Sequence, residues 1–325
     1  MIGILLATAL AFADTTPCGT SDCPVVSDVA QITADAARVK TRPQAPVWSK
    51  VTKVSPDDFK AQGLKPEVLT LALTAYAKAV ANGDSTSTTY TVVDYSLSSS
   101  QKRLWIIDMK TGKLLAQEYV AHGKHSGGSI ASRFSNVNES NKSSVGLVRT
   151  AETYQSGKFG YALRLDGLES GINHNIRRRA IVMHKSEYVR ASWIKRNGRA
   201  GRSLGCTALD PAVYKRVIDA VKGGSLMFLY GKDASWLRNS EYLGEAGKTH
   251  AESLGMERPT LRRGADGVAV EELQKLLKDA GFFKGTIDGD FGRGTERAVK
   301  RFQTDRGLKS DGVVGSGTWS TLSGK

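Results

Sequence analysis

Between Lys65 and Asp84 the chain reads KPEVLTLALTAYAKAVANGD, with apolar residues at Val68, Leu71, Leu73, Tyr76, Ala77 and Val80. That spacing predicts an amphipathic helix. Pro66 suits its first turn, and Asn82-Gly83 supplies a stop. Further on, the runs TYTVVDY (Thr89–Tyr95), RLWIIDM (Arg103–Met109) and KLLAQEYVA (Lys113–Ala121) predict strands, the last two joined through Lys110-Thr111-Gly112 as a hairpin. SVGLVRT (Ser144–Thr150), YALRLDGL (Tyr161–Leu168), AIVMH (Ala180–His184) and SLMFLYG (Ser225–Gly231) are also strand-like. AVYKRVIDAVKGG (Ala212–Gly224) is a helix ended by glycine. Many strands with few helices predict a mostly β domain with flanking helices over residues 56–234.

Beyond it the apolar pattern fades, and 235–258 reads as a linker. A helical pattern resumes over 259–325: VAVEELQKLLKDAG (Val268–Gly281), GTERAVKRFQTDRG (Gly294–Gly307) and SGTWSTL (Ser316–Leu322). Leu273, Leu276, Phe283, Ala298, Phe302, Trp319 and Leu322 would form the core of a small three-helix bundle. No extended internal repeat is expected. Upstream, residues 14–55 carry no sustained period and read as a tether. Residues 1–13, MIGILLATALAFA, read as a signal peptide with an A-x-A pattern at Ala11-Phe12-Ala13. The apolar run is too short to span a bilayer.

Charge narrows the partners. A net charge of +14 on 325 residues implies an anionic partner. Export argues against nucleic acid, and no long apolar stretch gives the mature chain a membrane span. Export also matters for the three cysteines. Cys18 and Cys23 could pair locally, which leaves Cys206 over.

Cys206 lies in Ser203-Leu204-Gly205-Cys206, a turn of small and polar residues. A cysteine attacks as the thiolate and needs a base or a positive field. The histidines are His122, His125, His174, His184 and His250. His184 ends an apolar run, at the point where a strand would meet its site. Gly205 permits a tight turn whose N–H groups converge on an oxyanion, and Ser203 can hold that turn by local hydrogen bonds. A small buried hydrophobe would present the same cysteine, and a satisfied strand-end histidine the same His184. Zinc held by His122, His184 and Cys206 is a third reading, but no close ligand pair supports it; no metal or other cofactor is expected. From Arg177 to Arg202 nine Lys/Arg face Glu187 alone, a net +8 flanking the candidate base and nucleophile. A solvated face would show the same run; here it adjoins the candidate chemistry and points to an anionic substrate.

VAHGKHSG (Val120–Gly127), SRFSN (Ser132–Asn136), LRLDGLESG (Leu163–Gly171), IVMH and GRAGRSLGC (Gly198–Cys206) resemble, in order, the L,D-transpeptidase (YkuD-type) catalytic domain, in its murein L,D-transpeptidase branch. The resemblance implies a β-sandwich-like domain, Cys206 as nucleophile, His184 as base, and oxyanion donors from the backbone of Ser203, Leu204 and Gly205. The implied substrate is a peptidoglycan stem peptide. Two positions depart from the pattern. Lys185 follows the histidine where many relatives have Gly, and Thr207-Ala208-Leu209 carries no Arg. Arg202 or Arg164 could take up that substrate-orienting role, and His122 could line the site or make a structural hydrogen bond.

Leu261–Leu322 resembles the peptidoglycan-binding type 1 domain through Leu273-Gln274, IDGDFGRGT, Phe302-Gln303, DGVVG and Thr318-Trp319. This implies a helical module that binds glycan strands, with Asp288, Gly289, Phe291 and Thr295 in its groove, although Asp288-Gly289 could equally be turn chemistry. The expectation is an exported peptidoglycan acyltransferase, periplasmic or cell-wall associated. Hydrolysis of the same intermediate (L,D-carboxypeptidase or endopeptidase action) and a non-catalytic wall-binding scaffold are the alternatives.

Overall fold

In a computed structural model, residues 47–324 are described. The expected leader, most of the expected tether and the Cys18–Cys23 pairing lie outside them. The final stretch of that tether joins the domain, because Val54 is buried in the main core and Trp48 packs partly against it.

Helix α1 (Pro66–Asn82) begins at its proline and ends at Gly83, whose φ of 78° is left-handed and whose N–H caps the carbonyls of Ala79 and Val80. The helix is buried on most of its surface and packs on the sheet that follows, its Tyr76 ring lying 5.0 Å from that of Tyr90. The strands are β1 (Thr89–Asp94), β2 (Leu104–Asp108), β3 (Lys113–Glu118), β4 (Gly146–Ser156), β5 (Gly160–Gly167), β6 (Val182–Lys185), β7 (Thr207–Leu209) and β8 (Leu226–Tyr230). They form one mixed sheet in the order β3-β2-β1-β8-β4-β5-β6-β7. β1–β8 and β6–β7 pair in parallel and the other pairs are antiparallel.

The sheet curls until its ends meet. Just past β3, Val120 bridges Leu209 of β7, and Gly123 bridges Ser203 ahead of β7. Central β8 is apolar throughout and buried on both faces, as a covered parallel neighbour requires. Helix α2 (Ala191–Asn197) lies between β6 and β7 in the chain, and α3 (Tyr214–Val221) packs on the sheet. α3 matches the predicted pattern; α2 lies inside the basic run and was not predicted.

The expected linker is instead structured. Residues 235–258 hold most of α4 (Ala234–Asn239) and all of α5 (Glu245–Ser253). Trp236, Leu237, Leu243 and Ala251 are buried in the main core. The segment is short and Gly-containing, so its few apolar residues show no clear period; tertiary burial fixes it.

The C-terminal domain has helices α6 (Val268–Asp279), α7 (Arg293–Asp305) and α8 (Ser316–Leu322) around Leu273, Phe291, Phe302 and Trp319. It contains a short internal repeat, where none was expected. DGDFGRGT (288–295) recurs as DGVVGSGT (311–318). In the first copy Gln274 Nε2 donates to Asp288 Oδ1 and Thr295 Oγ1, and the Gly289 N–H donates to Gln274 Oε1. Gln303 repeats this with Asp311, Thr318 and Gly312. The domain packs on the first. Glu271 accepts a bond from Asn136 Nδ2 at 3.4 Å, Glu272 accepts from Ser235 Oγ at 2.6 Å, and Lys142 pairs with Asp266.

Candidate active site

The turn before β7 is built around one glycine. Gly205 has φ +123°, and a Cβ there would sit 2.6 Å from Ile181 Cδ1 and 2.8 Å from the Lys142 carbonyl oxygen. Only glycine meets both demands. Ser203 holds the turn from inside: its Oγ accepts from the Gly205 N–H at 3.1 Å and donates to the Cys206 carbonyl at 2.7 Å. The Ser203 N–H donates to the His122 carbonyl, which ties the turn to the stretch after β3. Ser203 and Gly205 thus spend their N–H groups on the protein, and Leu204 alone of the three expected donors has an N–H without a partner among the described residues.

Strand pairing places the candidate nucleophile and base. In the parallel β6–β7 ladder His184 lies opposite Ala208, and Met183 opposite Thr207. Cys206 stands two residues before Ala208, so the period of two puts its side chain on the His184 face. Cys206 is 7% exposed, with Sγ 3.7 Å from the Ala180 carbonyl. Ala180 has φ +51°, which is uncommon for a residue with a Cβ. The tip of the β4–β5 hairpin supplies Phe159, whose ring stacks on His184 at 3.8 Å between centroids and 21° between planes. His184 Nδ1 is 2.7 Å from the Lys185 carbonyl and must donate to it. That fixes the tautomer and leaves Nε2 as the acceptor.

Burial pushes the Cys206 thiol up, opposed by the Val182 N–H, Arg179, Lys158 and its own N–H. Burial pushes His184 down; the Lys185 carbonyl opposes this and nearby Lys158 adds to it. At neutral pH the two side chains therefore rest as a thiol and a neutral imidazole. Both line a cavity of 710 Å3 whose wall also includes Phe159, Tyr188 and Leu204. Lys158, Arg179, Lys185 and Arg202 line it too, against Glu187 alone. An anionic ligand fits such a wall.

Of the other expected site residues, Arg202 lines this cavity, its Nη1 donating to the carbonyls of Lys124 and Gly127. Arg164 does not. It pairs with Glu152 at 3.2 Å and stacks over Tyr154. His122 is fully buried behind the turn, its Nδ1 accepting from Arg103 Nη2 at 2.7 Å, with burial and Arg103 driving its pKa down to about 4. Phe291 and Thr295 are buried in the helical domain, and Asp288 and Gly289 take part in the Gln274 hydrogen-bond network. Phe159, Ala180 and Arg179 were missed. Arg179 was visible only as one of many charges, and no local signal marks an aromatic at a hairpin tip as the partner of a distant histidine.

The L,D-transpeptidase catalytic domain family matches residues 60–230, and the peptidoglycan binding domain family matches residues 266–322. A spore cortex-lytic enzyme of Bacillus cereus is 48% identical over 62 residues, 19% of this chain and 24% of that protein. The zinc D-Ala-D-Ala carboxypeptidase of Streptomyces albus G is 43% identical over 68 residues, 19% of this chain and 26% of that protein. The chain thus spans about a quarter of the length of these curated relatives. The solved L,D-transpeptidase from Mycobacterium smegmatis aligns at 13% identity and a TM-score of 0.29, over 44% of this chain and 59% of that one. With its catalytic-domain match covering more than half of its length, the chain belongs to the L,D-transpeptidase catalytic domain family, and it carries a peptidoglycan-binding domain behind it.

Proposed function

We propose that the protein is a peptidoglycan L,D-transpeptidase working through a Cys206 thioester, with His184 as the base. The observation that carries this reading is the placement of the thiol and the imidazole on one face of the β6–β7 edge, inside a cationic cavity. His184 Nε2 takes the Sγ proton, and the thiolate attacks the carbonyl carbon of the L,D peptide bond in a donor stem. The Leu204 N–H is the expected oxyanion donor. Collapse of the adduct breaks the C–N bond, and the imidazolium returns the proton to the departing D-residue amine. The amine of a neighbouring stem then attacks the thioester, giving up a proton through His184 as the thiol is restored. Lys158, Lys185 and Arg202 supply the field for stem carboxylates. The domain at 266–322 would hold the enzyme to glycan strands. No described helix is long and apolar enough to cross a membrane, in keeping with a wall-associated or periplasmic enzyme.

Purified muropeptides incubated with the protein and with Cys206→Ser, followed by mass spectrometry, test this. Crosslinked dimers from the parent and none from the variant are expected. Shortened stems in their place would make water the acceptor. No product from the parent, or equal product from the variant, refutes the reading and favours a wall-binding scaffold.

A further inference from the structure

Three successive arginines, Arg177-Arg178-Arg179, precede β6, and the fold gives the outer two opposite surroundings. Arg177 grips the carboxylates of Glu152 and Asp166. Arg179 has no carboxylate partner among the described residues. Its Nη1 donates to the Ser135 carbonyl and, at 2.7 Å, to Ser144 Oγ; its Nη2 donates to Ser140 Oγ at 3.2 Å and to the Lys142 carbonyl at 2.6 Å. Every acceptor is neutral, and all four come from one irregular stretch, 135–144. A mostly buried cation ordinarily finds an anion, because desolvation is otherwise uncompensated. The acid whose field reaches Arg179 is Glu271, itself buried and pushed up to about 8, so it is largely neutral at pH 7.

What Arg179 grips bears directly on the sulfur. The Lys142 carbonyl is the group that would lie 2.8 Å from a Cβ at Gly205, so it forms one wall of the Cys206 turn. The residue after Arg179 is Ala180, in its left-handed conformation, with its carbonyl 3.7 Å from Sγ. One guanidinium therefore holds a wall of the Cys206 turn, and the residue that carries it is bonded in sequence to the one whose carbonyl touches the thiol. The same stretch is held from its other side by the C-terminal domain, through Lys142–Asp266 and Asn136–Glu271.

We propose that Arg179 is a positioning residue for the chemistry at Cys206, clamping segment 135–144 and the Ala180 carbonyl around the sulfur while keeping an unneutralised positive charge beside it. This rests on the reading of Cys206 as the nucleophile. The charge would favour the thiolate as it forms, and the fork geometry would fix where it forms.

The test uses the full chain carrying Cys18→Ser and Cys23→Ser, which leaves one thiol, and follows iodoacetamide alkylation by mass from pH 6 to pH 10. In that background Arg179→Gln should alkylate about tenfold more slowly at pH 7.5, the size of one pK unit, with its midpoint moved to higher pH. Arg179→Lys keeps the charge but cannot grip four acceptors, so it should recover the midpoint more than it recovers muropeptide turnover. Should Arg179→Gln fail to fold, Ser140→Ala combined with Ser144→Ala removes two acceptors and should lower turnover with little change in KM. Profiles of Arg179→Gln, or turnover of the double serine variant, that superimpose on the parent overturn the proposal. A parent that alkylates with the predicted dependence on Arg179 but turns over no muropeptide refutes the transpeptidase reading and supports the clamp. A folded parent whose thiol never reacts overturns both.

Discussion

Glu271 gives the sharpest test of the packing between the two domains. It is 3% exposed, on a helix of the C-terminal domain, and reaches Asn136 of the catalytic domain. Burial, with Asp288 and Asp233 nearby, raises its pKa from 4.5 to about 8. Between those values the native chain keeps a proton that the unfolded chain has released. This group's contribution to stability is therefore greatest below about pH 4.5 and is lost as pH rises toward 8. Each pH unit in that window costs about 1.4 kcal/mol, so moving from pH 5 to pH 7 costs about 2.7 kcal/mol. Glu271→Gln has the same shape and does not titrate. The stability of Glu271→Gln relative to the parent should therefore improve by about 2–3 kcal/mol between pH 5 and pH 7. Glu169, buried and raised to about 7, titrates in the same range but is present in both proteins and cancels. Urea denaturation followed by tryptophan fluorescence at pH 5, 6, 7 and 8 measures the gap. A gap that does not change with pH would mean that native Glu271 is ionised, and the argument from burial would fail.

Three further outcomes follow from the site and its supports. Gly205→Ala should cost about 1–3 kcal/mol in thermal denaturation, because it adds a Cβ in a left-handed conformation against Ile181 and the Lys142 carbonyl, and it should slow Cys206 alkylation; unchanged melting and reactivity would contradict the turn geometry. Phe159→Ala opens one face of the His184 ring, so the depressed imidazole pKa should rise toward its ordinary value and turnover at pH 6 should fall more than at pH 8; an unmoved titration in NMR spectra would dispose of the stacking argument. Trp236→Ala should cost about 3–5 kcal/mol by denaturant unfolding, since Trp236 is fully buried in the catalytic-domain core; a cost below 1 kcal/mol would restore the linker reading of 235–258.

The elements that could be read from sequence alone were those that carry their own period or stop signal. The predicted α1, the β2–β3 hairpin and the helices from Val268 and Gly294 all appear within a few residues of their expected ends. So does the Ser203–Cys206 turn, where a glycine and a hydroxyl both act within three residues. What escaped is settled across the chain. Trp236 and Leu237 show no pattern because their partners lie on the sheet, as with Phe228 against Trp236. The repeat of DG-x-x-G-x-G-T was in plain view, but its meaning depends on Gln274 and Gln303 reaching it from preceding helices at different separations.

The basic run shows the difference most clearly, because a net charge of +8 is a count and the cavity responds to a field. Arg177 and Arg190 are matched by acids and contribute little beyond their own pairs. Arg202 braces two carbonyls at the cavity wall, and Lys185 lies over the Tyr214 ring. Lys158, which lowers the thiol pKa from the hairpin tip, was never in the run. Within the run, the charge acting on the sulfur belongs to Arg179, which the fold leaves without a counter-ion and spends four hydrogen bonds to hold still. Sequence can place a cation near a nucleophile, but only the packing of 135–144 decides which cation keeps its charge unspent there.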